Sequence, residues 1–227
     1  MRTVWIFIFL LTITASAQTA RNAFEKGTQA AAAGNYPEAL KQYQKALEQN
    51  NPSADFLAKT HYNIGVCFYH LNQPAVAIEE YAKAIELSGV NYQKPFRARA
   101  MAYVELKNWQ AAKKSFGEAL SLNQHDGESW FDLAMVSVAE KDYDSAADAF
   151  RQAIINNSVD LPASHNNLGV ISALKGDFPS AEKEFEQSLL ESRGSFALAE
   201  SNLAFCRTQR ENRKLDLLAK FEFSVKN

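Results

Sequence analysis

The chain has 227 residues, with 24 Lys and Arg against 26 Asp and Glu, for a formal net charge of −2. That near-balance, with no basic patch and no Gly-rich arm, argues against a nucleic-acid partner, because phosphate backbones are held mainly by clustered Lys and Arg. After the N-terminus no other long apolar run occurs, so the remaining chain is expected to be soluble, with no stable membrane insertion.

The N-terminus reads as an export signal. Arg2 precedes the apolar run "VWIFIFLLTIT", Val4 to Thr14, and Ala15-Ser16-Ala17 forms a small-x-small cleavage site. An uncleaved anchor is the competing reading, but a span needs roughly 20 apolar residues and this run ends sooner. Cleavage before Gln18 leaves 210 residues, 227 less 17. No cysteine follows the site to carry a lipid.

Past the signal, one pattern recurs. Ala39, Ala77, Ala112, Ala146 and Ala181 stand 38, 35, 34 and 35 residues apart. Four residues after each comes an aromatic: Tyr43, Tyr81, Phe116, Phe150 and Phe185. Three further on come Ala46, Ala84, Ala119, Ala153 and Ser188. Spacings of four and three put all three on one helical face, where small residues admit a neighbouring helix and the ring fills the gap. Upstream of each Ala lies a turn: "AGNYPEA", "LNQPAVA", "LKNWQAA", "EKDYDSA" and "KGDFPSA". Gly34 and Gly176 suit a left-handed helix end, and Pro37 and Pro179 suit the first turn of the next helix. Before each turn another helix is marked by Gly27, Gly65, Ala100, Ala134 or Gly169. Each unit is therefore two antiparallel helices, and neither buries its apolar stripe alone; stacking supplies the missing wall.

This pattern resembles the tetratricopeptide repeat family, most closely in "WFDLAMVSVAEKDYDSAADAFRQAI" and "HNNLGVISALKGDFPSAEKEFEQSL". The resemblance covers about residues 20–195 as five units: 20–53, 58–91, 93–126, 127–160 and 162–195. It departs at Pro74, where the turn aromatic is usual, and in the Pro that often ends the second helix, which is late (Pro52) or absent. Residues 54–57 read as an insertion lengthening the second unit's first helix. Residues 196–227 read as a capping helix and tail, with a degenerate sixth repeat as the alternative. The fold the resemblance implies is all-α, a right-handed α-solenoid, or superhelix, of antiparallel helix pairs.

In this family the face of each first helix turned away from its partner lines a concave surface that holds an extended or helical peptide. Helical spacing projects Lys59, Tyr62, Asn63, Val66, Tyr69 and His70 that way. Carried across the units, the resemblance adds Phe24 and Thr28, then Lys94, Arg97, Met101 and Val104. Further along come Phe131, Asp132 and Met135, then Asn166, Asn167 and Val170, and last Ser201, Asn202 and Phe205. Exposed Tyr, Phe and Met are the residue types that anchor interfaces. Asn63, Asn167 and Asn202 occupy equivalent places, with Asp132 in the fourth unit. A carboxamide both donates and accepts, so such a ladder can grip a peptide main chain; Asn also simply suits a solvated helix face. The family's Lys/Asn/Arg clamp for a C-terminal carboxylate is not reproduced. Only Asn63 and Lys94 fall in clamp places, with Phe24, Thr28 and Ala98 in the others.

No H-E-x-x-H or G-x-S-x-G occurs, and His61, His70, His125 and His165 show no metal-binding spacing. His61 and His165 fall where the repeat buries an aromatic and read as structural. Asp126 in "HDGES" reads as a helix N-cap. Cys67 and Cys206 stand four repeats apart. At about 10 Å per helix layer their sulfurs are expected several nanometres apart, as two unpaired, buried thiols. The expectation is a non-catalytic scaffold or adaptor with no cofactor and no metal, exported to the periplasm or the extracellular space of a bacterial cell envelope, and binding a protein or peptide partner in the groove. The alternatives are an envelope-assembly or secretion subunit held by its convex face and, least supported, an enzyme or an enzyme's accessory subunit.

Overall fold

A computed structural model describes residues 18–48, 52–88, 92–158 and 160–212. The signal region and the tail beyond Asn212 lie outside the described residues. Within them every regular element is helical: α1 (18–32), α2 (Tyr36–Leu47), α3 (Ala54–His70), α4 (Pro74–Ser88), α5 (Lys94–Glu105), α6 (Trp109–Leu122), α7 (Gly127–Ala139), α8 (Tyr143–Ile155), α9 (Leu161–Leu174), α10 (Phe178–Glu191) and α11 (Ala197–Asn212). The chain divides into two compact units, Met1–Ser115 and Phe116–Asn227, with the boundary inside α6. Among the described residues no helix is long and apolar enough to cross a membrane.

The turn between the two helices of a repeat has one geometry throughout. Gly34, Asn72, Lys107, Lys141 and Gly176 all take a positive φ, between 55° and 79°. In each case the residue after it donates its N–H back to the carbonyl five residues earlier: Asn35 to Ala30, Gln73 to Phe68, Asn108 to Tyr103, Asp142 to Ser137 and Asp177 to Ser172. These bonds satisfy carbonyls that the end of the first helix leaves unpaired. The next helix is then capped by the Asn or Asp just past the turn. Asn35, Asn108, Asp142 and Asp177 accept, through their side chains, the N–H of Glu38, Ala111, Ser145 and Ser180. Asp126 caps α7 in the same manner by accepting from Ser129.

Packing within a repeat follows the small-large-small face. Ala39, Ala46, Ala77, Ala84, Ala112, Ala119, Ala146, Ala153 and Ala181 are fully buried, as are Phe116 and Phe150, with Tyr43, Tyr81 and Phe185 at most 2% exposed. In the N-terminal unit the Tyr81 ring sits so close to α3 that a Cβ on Gly65 would lie 2.6 Å from it. In the C-terminal unit Phe185 leaves the same 2.6 Å at Gly169. Only a residue without a side chain permits those approaches. Where Ala134 stands in that register, it shares one core with Phe150, Phe131 and Leu168. α3 begins at Ala54, with Ser53 as its cap, so residues 54–57 add a turn to that helix.

His61 and His165 are structural, each half-buried against a carboxylate of its partner helix. His61 Nδ1 lies 2.6 Å from Glu80 Oε2, and His165 Nδ1 lies 2.7 Å from Glu184 Oε2. Lys83 Nζ donates to the other Glu80 oxygen at 2.6 Å. Burial raises the Glu80 carboxyl, but its bonds to His61 and Lys83 outweigh that and hold it below the usual range. Neither Cys67 nor Cys206 forms a disulfide, both are buried, and burial pushes the Cys67 thiol up to about 11.

Two outcomes follow. Ala146→Leu forces a larger side chain into a fully buried site and is expected to destabilise the chain by roughly 1–3 kcal/mol, read from the denaturant midpoint. Because folding lowers the pKa of Glu80, its contribution is complete above the unfolded value of about 4.3 and is lost as pH falls through the folded value. Glu80→Gln is therefore expected to flatten the acid limb of stability against pH, while lowering stability at neutral pH.

Candidate functional site

In the N-terminal unit, the helical spacing of α3 and α5 sets the predicted residues on one face of each helix. Lys59, Tyr62, Asn63, Val66, Tyr69 and His70 follow i, i+3, i+4, i+7, i+10 and i+11, and Lys94, Arg97 and Met101 follow i, i+3 and i+7. Lys59, His70 and Lys94 are exposed, and the other six are half-buried. Tyr62 is held at the centre, 5.9 Å from the Tyr81 ring and 5.5 Å, edge-on, from Tyr92. Burial raises its hydroxyl pKa against the opposing charge of Arg97. The Tyr69 hydroxyl donates to Glu105 Oε1 at 3.2 Å, tying α3 to α5. His70 stacks on Tyr36 at 4.7 Å and meets Tyr69 edge-on. Lys59 pairs with Asp55 one turn back, at 2.8 Å.

Two residues of this face were missed from sequence. Glu105 lies eleven residues after Lys94, three helical turns, so the α5 spacing carries it to the same side as Arg97 and Met101. Tyr92 precedes the helix, where no period could place it.

The C-terminal unit differs from the expectation of an open face. Phe131 is 5% exposed and belongs to the core, edge-on to Phe150 at 5.6 Å. Asn166 and Asn167 are fully buried and Asn202 is 5% exposed. Their amides pair with one another rather than standing open. Asn202 Nδ2 donates to Asn166 Oδ1 at 2.9 Å, and Asn166 Nδ2 donates to Asn167 Oδ1 at 3.2 Å. Asn167 Nδ2 in turn points at Met135 Sδ, 3.5 Å away. The chain of amides runs from α11 through α9 to α7. A buried carboxamide needs such partners, since leaving one unmet costs about 1–3 kcal/mol. Phe131, Asn166, Asn167 and Asn202 are thus corrected from an open concave face to a buried one, and within the expected amide ladder Asn167 and Asn202 are closed rather than solvated. Asp132 and Met135 are half-buried.

Aromatic faces and ring edges beside ammonium and guanidinium groups can take apolar side chains while donating to carbonyls or carboxylates. Among the described residues no group of three His, Cys, Asp or Glu is placed to hold a metal ion.

Comparison with known proteins agrees on the architecture. A family pattern described as Tetratricopeptide repeat matches residues 17–88, and a second of the same description matches 97–160 and 143–197. The DnaJ homolog subfamily C member 7 homolog of Schizosaccharomyces pombe is 27% identical over 93 residues, 41% of this chain and 19% of that protein. RNA polymerase II-associated protein 3 of Xenopus laevis is 29% identical over 136 residues, 60% of this chain and 20% of that protein. The chain therefore matches about a fifth of the length of these curated relatives. YrrB, described as a TPR protein with an unusual peptide-binding site, superposes with a TM-score of 0.66 at 21% identity, covering 85% of this chain and 96% of its own.

Proposed function

The chain belongs to the tetratricopeptide repeat family, whose members are generally protein-interaction scaffolds, and on that premise we propose that it is a non-catalytic adaptor of the cell envelope that binds an extended segment of a partner protein. The observation that carries this reading is the contrast between the two units. On α3 and α5, Tyr62, Tyr69 and Met101 remain half-exposed beside Lys59, Lys94 and Arg97, whereas the asparagines of α9 and α11 are closed on one another. Half-exposed aromatics flanked by cations suit a segment with apolar anchors and carboxylates or free carbonyls. That YrrB is described as having a peptide-binding site adds weight to a segment as the ligand. The export part of the reading rests on Arg2, the run from Val4 to Thr14 and Ala15-Ser16-Ala17.

Attachment by the second helices is the alternative. It is favoured by Ile155 and Leu190, 69% and 70% exposed, which stand at equivalent places near the ends of α8 and α10.

Crosslinking in the native envelope identifies the bound segment, and a synthetic copy then allows titration. Replacing Tyr69 and Met101 by Ser and Lys94 by Glu is expected to weaken that segment at least tenfold, the effect of about 1.4 kcal/mol, with melting little changed. Unaltered affinity moves the partner to the second helices. For export, the protein recovered from its host is expected to begin at Gln18 by intact mass; a mass that includes residues 1–17 removes the cleaved-signal reading.

A further inference from the structure

A different surface of the C-terminal unit holds a cleft of about 410 Å³, built from the end of α6, the start of α7 and the end of α8. Leu120, Trp130 and Leu133 line it, and Ile155 stands exposed on its wall. Gly117 lines it, at the place where the next two repeats carry the exposed Arg151 and Glu186. A Cβ there would meet nothing within 4 Å. Its rim is polar and ordered: Trp130 Nε1 donates to the Gln124 carbonyl at 2.8 Å, and His125 Nδ1 lies 3.0 Å from Asn156 Oδ1. An apolar floor beneath amides takes a segment that inserts large side chains and pairs its backbone at the edge.

We propose that the occupant is this chain's own C-terminal segment, residues 213–227, "RKLDLLAKFEFSVKN", docking back into the cleft. Its chemistry fits. Leu215, Leu217, Leu218, Phe221, Phe223 and Val225 supply apolar anchors, and four Lys and Arg against two Asp and Glu give it a net charge of +2. Residues 116–209 carry fifteen Asp and Glu against six Lys and Arg, a net charge of −9, so the field of the unit as a whole draws such a segment in, while no Asp or Glu lines the cleft itself. The length fits as well. Fifteen residues beyond Asn212 reach up to about 50 Å when extended. The cleft lies about two helix pairs back along the unit, at roughly 10 Å per packed layer. Being tethered, the segment competes at a high effective concentration, so a foreign partner reaches the cleft only by displacing it. This surface is separate from the α3 and α5 face, and its occupancy does not depend on the adaptor reading.

The test uses Trp130 as the reporter, in the full chain with Trp5→Phe and Trp109→Phe so that it is the sole indole. Truncation after Asn212 is expected to raise iodide quenching of Trp130 about twofold or more. Adding the 213–227 peptide is expected to reverse this. Phe221→Ser with Phe223→Ser in the full chain should reproduce the truncation without shortening the chain. Gly117→Arg on the truncated chain fills an open site and is expected to reduce peptide affinity at least tenfold. Quenching unchanged by both truncation and the double substitution overturns the proposal, as does peptide binding indifferent to Gly117→Arg. Shielding that appears only as protein concentration rises assigns the segment to a second copy and overturns docking within one chain.

Discussion

The contact on which the first, second and fifth repeats close is an aromatic ring of the second helix pressed onto a glycine of the first, Gly27, Gly65 or Gly169. Tyr81 against Gly65 and Phe185 against Gly169 leave no room for a Cβ. In the fourth repeat Ala134 stands in the glycine's place and shares one core with Phe150, Phe131 and Leu168. The ring buries a large apolar area, and the absent side chain lets the two helix axes draw together. The flanking Ala residues then admit the next helix at the same close range. Loosening this contact removes the register on which every surface residue of the first helices depends.

The turns make that contact reproducible. A left-handed residue and a back-bonded N–H recur in all five turns, with an Asn or Asp cap in all but the second, where Gln73 stands. Lys107 and Lys141 take this conformation although a side chain disfavours it; the turn requires it whatever residue is present. The strain is small beside the burial gained when the ring reaches its seat. Local geometry and packing therefore agree, which is the condition for a chain to fold to one arrangement.

The surface chemistry follows from which side chains neighbouring first helices present to one another. Where α3 and α5 present long aromatic and cationic side chains, these stay half in water and available, with Tyr69 and Glu105 bridging the two helices. Where α9 and α11 present amides, the helices close over them and the amides satisfy one another. Equivalent repeat positions thus differ in burial, half-exposed in α3 and closed on one another between α9 and α11. Gly117 and Ile155 line the cleft between the end of α6, the start of α7 and the end of α8.

While the caps at Asn35, Asn108, Asp142 and Asp177 emerged only from the structure, the amino-acid order alone determined the helices, their pairing, the turn positions and the Asp126 cap. Each of these depends on periods of three, four and about thirty-five residues and on the local preferences of Gly, Asn, Asp and Pro. The buried ring and its small partner were legible for the same reason, and so was the structural part played by His61 and His165. Burial across neighbouring helices was decided only by the tertiary structure. Asn166, Asn167 and Asn202 share a helical face with residues such as Tyr62, and no spacing distinguishes a solvated amide from one enclosed by the next helix. Phe131 likewise turns inward because Phe150 lies within reach. The Glu80 and Glu184 partners of the two histidines, each nineteen residues away, come within bonding distance only when the second helix folds back. One-dimensional periodicity specifies which way a side chain points from its own helix, and the distance to the neighbouring helix specifies what it meets.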